Sequence, residues 1–374
     1  MRLAFAEMRR RRGRWIAIMS AVGFIVFLVL VLAALADGLF NGNTGALQNT
    51  QADALVFSVD GRRSLIRSEL PLSELPTVAA VEGVSDAGTL GVLLTTAGTP
   101  DEPFDLAVMG HTPGHAGEPL ELVAGRRPEV GEGFAGLADT SLRDKGIALG
   151  DRVTVTGSSQ PVEVVGFVAD AQYLLAGTLW VPLETWQALR SEVRPETIGR
   201  GLVVQAFPIE FEDGVDPGSV AAAIDRVMGT TETVSIETAM LSIPGVDQQR
   251  TTFTAIIVVS FGVVAIVTAL FFALITLEKR GQLAILKAIG SPNPLLLRGI
   301  LVQALIAAAA GFVLGFALSR FVAMVLPTSV PIEFLPRTGA FVLVATLGMG
   351  AIGAALSFRR IIRIDPASAL GGDL

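Results

Sequence analysis

The chain has 374 residues, a mean hydropathy of +0.60 and only 17% charged residues, and these values exclude an ordinary soluble protein. It contains no cysteine, which rules out disulfides and thiolate metal sites. Its two histidines, His111 and His115, are the only residues that could serve as the base of a Ser-His-Asp triad, so such catalysis is not expected. The composition therefore favours a membrane protein without catalytic chemistry of its own.

The N-terminal region predicts a membrane-surface helix followed by a first span. Residues 1–14 place Leu3, Phe5 and Met8 beside a cluster of arginines, a pattern typical of an amphipathic elbow helix on an anionic leaflet or of simple basic anchoring. Residues 15–36 carry no charge and can cross about 30 Å of hydrocarbon at about 1.5 Å per residue. A cleaved signal peptide is the alternative, but signal peptides have apolar runs of only about 7 to 15 residues, so we predict a retained helix.

Residues 37–252 predict a folded α/β domain, because short β-rich runs alternate with amphipathic stretches and turn residues. The candidate strands are residues 54–59, 89–96, 152–156, 162–168, 179–182 and 202–207. Residues 183–192 and 217–228 predict helices, the second with Asp216 as N-cap and Gly229 as its stop. Residues 120–131 are compatible with a loop or an edge strand. We expect a mixed sheet with helices on one face.

Three further charge-free spans follow at residues 253–276, 299–319 and 339–358. They leave a cytoplasmic loop at 277–298, an outer loop at 320–338 and a tail at 359–374. Small-residue pairs, Gly311 with Gly315 and Gly350 with Ala354, predict close helix contacts. The sequence thus predicts an α-helical membrane protein with four transmembrane helices in a 1+3 arrangement and a large mixed α/β extracytoplasmic domain.

The distribution of charge predicts the orientation. Residues 1–14, the loop at 277–298 and the tail together hold 13 basic and 4 acidic residues, whereas residues 37–252 hold 13 basic and 30 acidic ones. Because basic residues are retained in the cytoplasm, we expect a plasma-membrane protein whose two termini lie in the cytoplasm and whose large insertion lies outside the cell.

Several kinds of transport chemistry are absent from the sequence. There is no GxxxxGK[ST] loop, and none of the three lysines precedes Ser or Thr, so any ATP must bind another chain. The spans also lack the ionisable residues of proton- or ion-coupled carriers. No nucleic-acid partner, no metal site and no cofactor are expected in this chain.

The loop LEKRGQLAILKAIGSP, residues 277–292, contains the most specific motif. Leu283, Leu286 and Ile289 share one helical face and Gly290 ends the helix, a pattern typical of a docking element for a cytoplasmic partner or of an interfacial helix on headgroups.

This loop and the tail segment RRIIRIDPASAL, residues 359–370, resemble the signatures of ABC permeases of the MacB and FtsX type, also called type VII. The spacing of spans around the outer domain is similar as well. Gln282 and Gln303 depart from the family, which usually has Glu in the loop and often has Glu in the third span. Residues 1–10 and 251–253 are loosely similar to the DevC and haem-exporting HrtB subgroup.

The resemblance implies a homodimer of permease chains in the lipid bilayer, joined to a separate ABC ATPase that binds ATP and Mg²⁺ and drives the outer domains by mechanotransmission. It places the ATPase-coupling residues at Glu278, Arg280, Leu283, Leu286, Lys287, Ala288 and Gly290.

The subgroup implies export of haem or another hydrophobic substrate from the membrane. A haem site needs an apolar slot, an axial ligand and donors for the propionates, and Glu237, Met240 and Arg250 before the second span are candidates. His111 and His115 are alternative ligands. The competing interpretation of Glu237, Met240 and Arg250 is an ordinary connector between the outer domain and the membrane, and that of the two histidines is a Pro-Gly turn that happens to carry them.

The alternative functions are an FtsX-like signalling permease that controls an outer enzyme and a membrane receptor that uses no ATP.

Overall fold

The computed structural model describes residues 12–99, 102–129, 131–197, 201–278, 281, 289, 292–327 and 330–362. The chain divides into two compact units. The helix unit comprises the chain up to Gly38 and from Arg250 onward, and the α/β domain comprises Leu39–Gln249.

The helices and strands of the described residues are numbered in chain order. The helices are α1 (Arg12–Gln48), α2 (Leu75–Ala79), α3 (Leu183–Val193), α4 (Pro217–Met228), α5 (Ile236–Leu241), α6 (Val246–Glu278), α7 (Asn293–Val325) and α8 (Pro336–Ile362). The strands are β1 (Ala54–Ser58), β2 (Leu70–Pro71), β3 (Val84–Ala87), β4 (Leu90–Thr99), β5 (Glu102–His111), β6 (Leu122–Gly125), β7 (Ala135–Asp139), β8 (Arg152–Val153), β9 (Val162–Val168), β10 (Gly177–Pro182), β11 (Val203–Val204), β12 (Phe207–Phe211) and β13 (Thr231–Ser235).

Four helices, α1, α6, α7 and α8, are long and apolar enough to cross a membrane. Each predicted span lies within one of them, because a charge-free apolar run satisfies all its backbone groups in lipid only as a helix. The elbow helix at 1–14 and the tail at 359–374 lie largely outside the described residues, which begin at 12 and end at 362.

Small residues bring these helices close together. A Cβ added to Gly315 of α7 would lie 2.7 Å from the carbonyl oxygen of Gly23 and 2.8 Å from the backbone nitrogen of Phe27, both on α1. This confirms the close contact predicted for that pair. The sequence did not predict a second close approach, at Gly353 of α8, where an added Cβ would lie 2.7 Å from the carbonyl oxygen of Ala265 on α6.

The strands of the α/β domain form three sheets where the sequence predicted one. A four-stranded antiparallel sheet has the order β13-β1-β12-β3, and β11 pairs with β2. A seven-stranded mixed sheet has the order β4-β5-β10-β7-β9-β6, with β8 paired to β9. Within it the pairs β5-β10 and β7-β9 are parallel. Residues 122–125 form its edge, which settles the loop-or-edge alternative.

Both large sheets bury apolar residues on both faces. On β1, Val56 packs in one core with Ile224 of α4, while Leu55 and Phe57 pack in another with Leu47 near the end of α1. This alternation follows from the two-residue period of a strand. The domain therefore has two apolar cores that share the same strands.

Candidate functional site

The described helices lead directly into the predicted coupling segment, residues 277–298. Glu278 ends α6 and Asn293 begins α7. Arg280, Leu283, Leu286, Lys287, Ala288 and Gly290 lie outside the described residues, so their roles remain predictions.

Glu278 has a partner that was not predicted from the sequence. The guanidinium of Arg14, at the start of α1, donates a hydrogen bond to the Glu278 carboxylate and forms an ion pair with it. The two side chains are 19% and 40% exposed, and a pair with this exposure contributes only about 0–1 kcal/mol. Its main effect is to hold the first turns of α1 beside the end of α6.

An apolar cluster adjoins this ion pair and joins all four long helices. Trp15 of α1 meets Phe272 of α6 edge to face, with ring centroids 6.2 Å apart. The other buried members are Ile18, Ile275, Ala304, Ala307 and Ala354. We call these seven residues the coupling cluster. The buried members from α7 and α8 are all alanines, which allow close approach of the helix backbones. Packed neighbours would therefore resist a displacement of one helix end.

Two polar side chains lie buried between the helices near this end. The hydroxyl of Ser357 on α8 donates a hydrogen bond of 2.7 Å to the carbonyl oxygen of Ala269 on α6. Gln303, one of the two departures from the family signature, is 6% exposed on α7. Hydrogen bonds of this kind add to small-residue packing in joining helices within a membrane.

The candidate substrate residues near α6 fall in different parts of the chain. Glu237 and Met240 lie on α5 of the α/β domain, where Glu237 is exposed and Met240 is half-buried against the core that contains Ala239. The hydroxyl of Ser235 caps α5 by accepting a hydrogen bond of 3.3 Å from Thr238 N–H. Arg250 is exposed on α6 and belongs to the helix unit.

The two histidines have unlike surroundings. His111, at the end of β5, is fully buried, and its ring meets Trp180 edge to face at 6.0 Å. Burial lowers the pKa of His111 to about 4 against the opposing attraction of Glu118, so the ring is neutral at physiological pH. Because the His111 ring is fully buried, a ligand cannot reach it in this conformation.

His115 lies on the surface, and its Nδ1 is 2.9 Å from a carboxylate oxygen of Asp86. Burial opposes ionisation of Asp86, but hydrogen bonds from His115 and from Ala116 N–H keep the pKa of that carboxyl below its usual value. Within the described ranges, no three or more His, Asp or Glu side chains form a group that could hold a metal ion.

Two family models match this chain. The model described as MacB-like periplasmic core domain matches residues 16–227, more than half of the chain, and the model described as FtsX-like permease C-terminal matches residues 254–366. The second match contains the whole predicted coupling segment, all of α7 and α8, and α6 from residue 254 onward.

Curated relatives align over the full length. A permease of Staphylococcus haemolyticus, named HrtB and assigned by its name to a hemin transport system, is 24% identical and covers 100% of this chain and 99% of its own. An uncharacterized ABC transporter permease of Mycobacterium tuberculosis is 26% identical and covers 99% of each chain. The periplasmic region of MacB from Actinobacillus actinomycetemcomitans is 16% identical with a TM-score of 0.38, covering 51% of this chain and 92% of that one.

Proposed function

Because the chain belongs to the MacB- and FtsX-type family of ABC transporter permeases, we propose that it is the membrane subunit of an exporter driven by a separate ATPase. The observation that carries this proposal is the coupling cluster. It joins all four long helices beside the helix ends that the coupling segment connects.

ATP and Mg²⁺ would bind the partner ATPase, and residues 277–298 would dock on it. Closure of the ATPase would then move the end of α6 and the start of α7. Glu278 and Phe272 would pass that displacement to Arg14 and Trp15 of α1, since those contacts are made in the helix unit itself. In this mechanism the spans act as a lever, which suits helices that carry almost no charge.

Helix α1 is continuous from Arg12 to Gln48, and its last turns belong to the α/β domain. There the loop at 170–176 holds it by backbone hydrogen bonds. Ala46 N–H donates to the carbonyl of Gln172 at 2.8 Å, and Leu175 N–H donates to the carbonyl of Gly42 at 2.8 Å. A Cβ on Gly45 would lie 2.4 Å from the carbonyl oxygen of Asp170, so only glycine permits this approach. The contact supports α1 as the element that carries motion into the domain.

We propose that two copies of the chain pair in the membrane. The apolar side chains of Val259 and Leu270 on α6 are each 66% exposed in the single chain. Lipid or a second copy covers such a face, and crosslinking between cysteines placed at Val259 in two copies would distinguish a dimer from lipid contact.

For the substrate we propose hemin or another hydrophobic molecule extruded from the membrane. The support is the naming of full-length relatives at 24% and 23% identity. Glu237, Met240, Arg250, His111 and His115 remain the candidate ligands. Because His111 is fully buried, Glu237 and Met240 are better placed to meet a ligand that arrives from outside the domain.

The experiment is to co-purify the chain with its separate ATPase and to measure ATP hydrolysis with and without hemin. Export predicts stimulation by hemin and reduced stimulation in Glu237→Ala or Met240→Ala, with Glu196→Ala, at an exposed residue outside the candidate set, as a surface control. A rate of ATP hydrolysis that depends on the permease but is unchanged by hemin favours the signalling alternative. Failure to bind any ATPase contradicts the proposal.

We also propose that both termini lie in the cytoplasm, on the basis of the charge distribution. A cysteine at Ser158 should react with an impermeant reagent added to whole cells, and a cysteine at Ser291 should react only after the cells are opened. The reverse labelling pattern would refute this orientation.

A further inference from the structure

A cavity of about 360 Å³ lies within the helix unit, at the end opposite the coupling cluster. Its walls come from α1, α7, the first turns of α8 and the segment that precedes α8. All of its lining residues belong to the helix unit. The coupling contacts described above do not involve this cavity.

The lining changes from apolar to charged in the same direction on two helices. Along α1 it runs from Leu30 to Asp37, and along α7 it runs from Phe312 to Arg320. Eight residues of helix rise about 12 Å, so the apolar and charged ends of the α7 wall are well separated. A cavity with this gradient matches an amphiphile whose chain lies among the helices and whose headgroup lies at the membrane interface.

The charged end is organised by specific contacts. The guanidinium carbon of Arg320 lies 5.1 Å from the ring centroid of Phe334, a cation–π arrangement that orients the guanidinium. The hydroxyl of Thr338 donates a hydrogen bond of 2.6 Å to Asp37. Glu333 contributes a second carboxylate to the lining. One cation and two anions therefore face one end of the cavity.

The segment before α8 is held against α1 and closes one side of the cavity. Glu333 N–H donates a hydrogen bond of 3.0 Å to the carbonyl of Ala34. A Cβ on Gly38 would lie 2.2 Å from the carbonyl oxygen of Pro331, so glycine is needed for this approach. Phe316 on the lining is 42% exposed, which leaves an opening toward the surrounding lipid.

We propose that this cavity binds one phospholipid with a phosphoethanolamine headgroup. The phosphate pairs with Arg320, because guanidinium recognises phosphate through charge-assisted hydrogen bonds. The primary ammonium lies toward Asp37 and Glu333, which accept hydrogen bonds from it. One acyl chain occupies the apolar end beside Phe312 and Leu30.

The balance of charge selects this headgroup. A purely anionic headgroup would bring no positive charge to the carboxylates of Asp37 and Glu333. A phosphocholine headgroup has the same net charge as phosphoethanolamine, but its quaternary nitrogen carries no N–H donor for those carboxylates. The bound lipid would fill the gap between α1, α7 and α8 and keep the segment before α8 closed.

The test uses the full chain purified in detergent and incubated with equal amounts of dioleoyl phosphatidylethanolamine, phosphatidylcholine and phosphatidylglycerol, with bound lipid counted by native mass spectrometry. The wild type should retain one phosphatidylethanolamine per chain, about tenfold above either competitor, and Arg320→Gln should lower that retention about tenfold, as expected for loss of a charge-assisted hydrogen bond. The matched control is Arg337→Gln, which removes a neighbouring arginine that does not line the cavity.

A second variant tests the same cavity in case Arg320→Gln fails to fold. Ala340 is exposed on the cavity wall, so Ala340→Trp should fill the space and remove all bound lipid while the chain stays monodisperse. Retention of the three lipids in equal amounts, preference for phosphatidylglycerol, equal losses in the two arginine variants, or unchanged binding in Ala340→Trp would each overturn the proposal.

Discussion

The helix unit and the α/β domain achieve close packing in opposite ways. The helix unit relies on small residues, such as Gly23 against Gly315, that bring backbones together. The α/β domain relies on large side chains, such as Trp180 on β10, which is fully buried in one of the two apolar cores. The helix unit should therefore be sensitive to added volume, and the α/β domain to lost volume and to protonation of its buried polar groups.

The largest effect is expected in the α/β domain. Trp180→Ala removes a fully buried indole and its hydrogen bond to Thr178, and it should lower the stability of the domain by about 3–5 kcal/mol. Hydrogen exchange of the β5 and β10 amides in the full chain would measure this loss. Leu202→Ala, at a side chain that is 58% exposed, should cost less than about 0.5 kcal/mol. Equal losses in the two variants would show that the domain does not depend on this core.

Added volume should damage the helix unit next. Gly315→Leu forces a side chain against the α1 backbone and should cost about 1–3 kcal/mol, because backbone atoms cannot turn aside as side chains do. The matched control is Gly262→Leu on α6, where an added Cβ would have no neighbour within 4 Å. The measurement is the thermal midpoint of the detergent-purified chain together with hydrogen exchange in α1 and α7. If both variants behave like the wild type, the close crossing is not a determinant of stability.

Acid should weaken the α/β domain through His111. Burial lowers the pKa of this ring to about 4, below its ordinary 6.5, so the unfolded chain takes up the proton first. The stability contributed by the neutral ring is complete above pH 6.5 and is lost as pH falls from 6.5 toward 4, with a loss of about 2 kcal/mol between pH 8 and pH 5.

Urea unfolding followed by tryptophan fluorescence would measure this loss, since Trp180 and Trp186 both lie in the α/β domain. His111→Leu should flatten the pH dependence between 6.5 and 4, whereas the surface variant His115→Leu should keep the wild-type loss. An unchanged pH profile in His111→Leu would assign the loss to other groups.

The smallest effect is expected at the ion pair between Arg14 and Glu278. A double-mutant cycle with Arg14→Gln and Glu278→Gln should give a coupling energy of about 0.2–1 kcal/mol, because both side chains are partly exposed. If the pair positions the helix ends, ATP hydrolysis by the complex should fall more than stability does. A proportional fall of both would make the pair purely structural.

The sequence predicts some elements well where local chemistry decides them. The bounds of β9 and α4 agree with the predicted residues, because α4 begins at the Asp216 cap, whose carboxylate accepts a hydrogen bond of 2.9 Å from Ser219 N–H, and ends at Gly229. The four long helices follow equally from apolar length. In each case a few consecutive residues determine the structure.

Elements determined by distant partners were missed or wrong. The prediction of one strand at 202–207 is wrong, because the backbone N–H groups of Gln205 and Ala206 both donate to the carbonyl of Leu90 and the chain changes sheets there. Strand β5 was not predicted, since its first half contains Pro103 and Asp105 and its ten-residue ladder with β4 sets its structure. Arg14 was missed as the partner of Glu278, which lies 264 positions away, although both flank spans on the same predicted side of the membrane.

The central claim is that the segment between α6 and α7 docks on an ATPase, and the same substitution in that segment and just after α7 tests it most directly. Leu286→Asp lies in the predicted docking face, and Leu326→Asp lies at the opposite end of α7, where the side chain is 36% exposed. Both variants should insert in the membrane. We expect Leu286→Asp to lose ATPase co-purification and permease-dependent ATP hydrolysis by about tenfold or more, as for a charge buried in an apolar interface, while Leu326→Asp retains both. Normal binding and hydrolysis in Leu286→Asp, or equal losses in the two variants, would contradict the account.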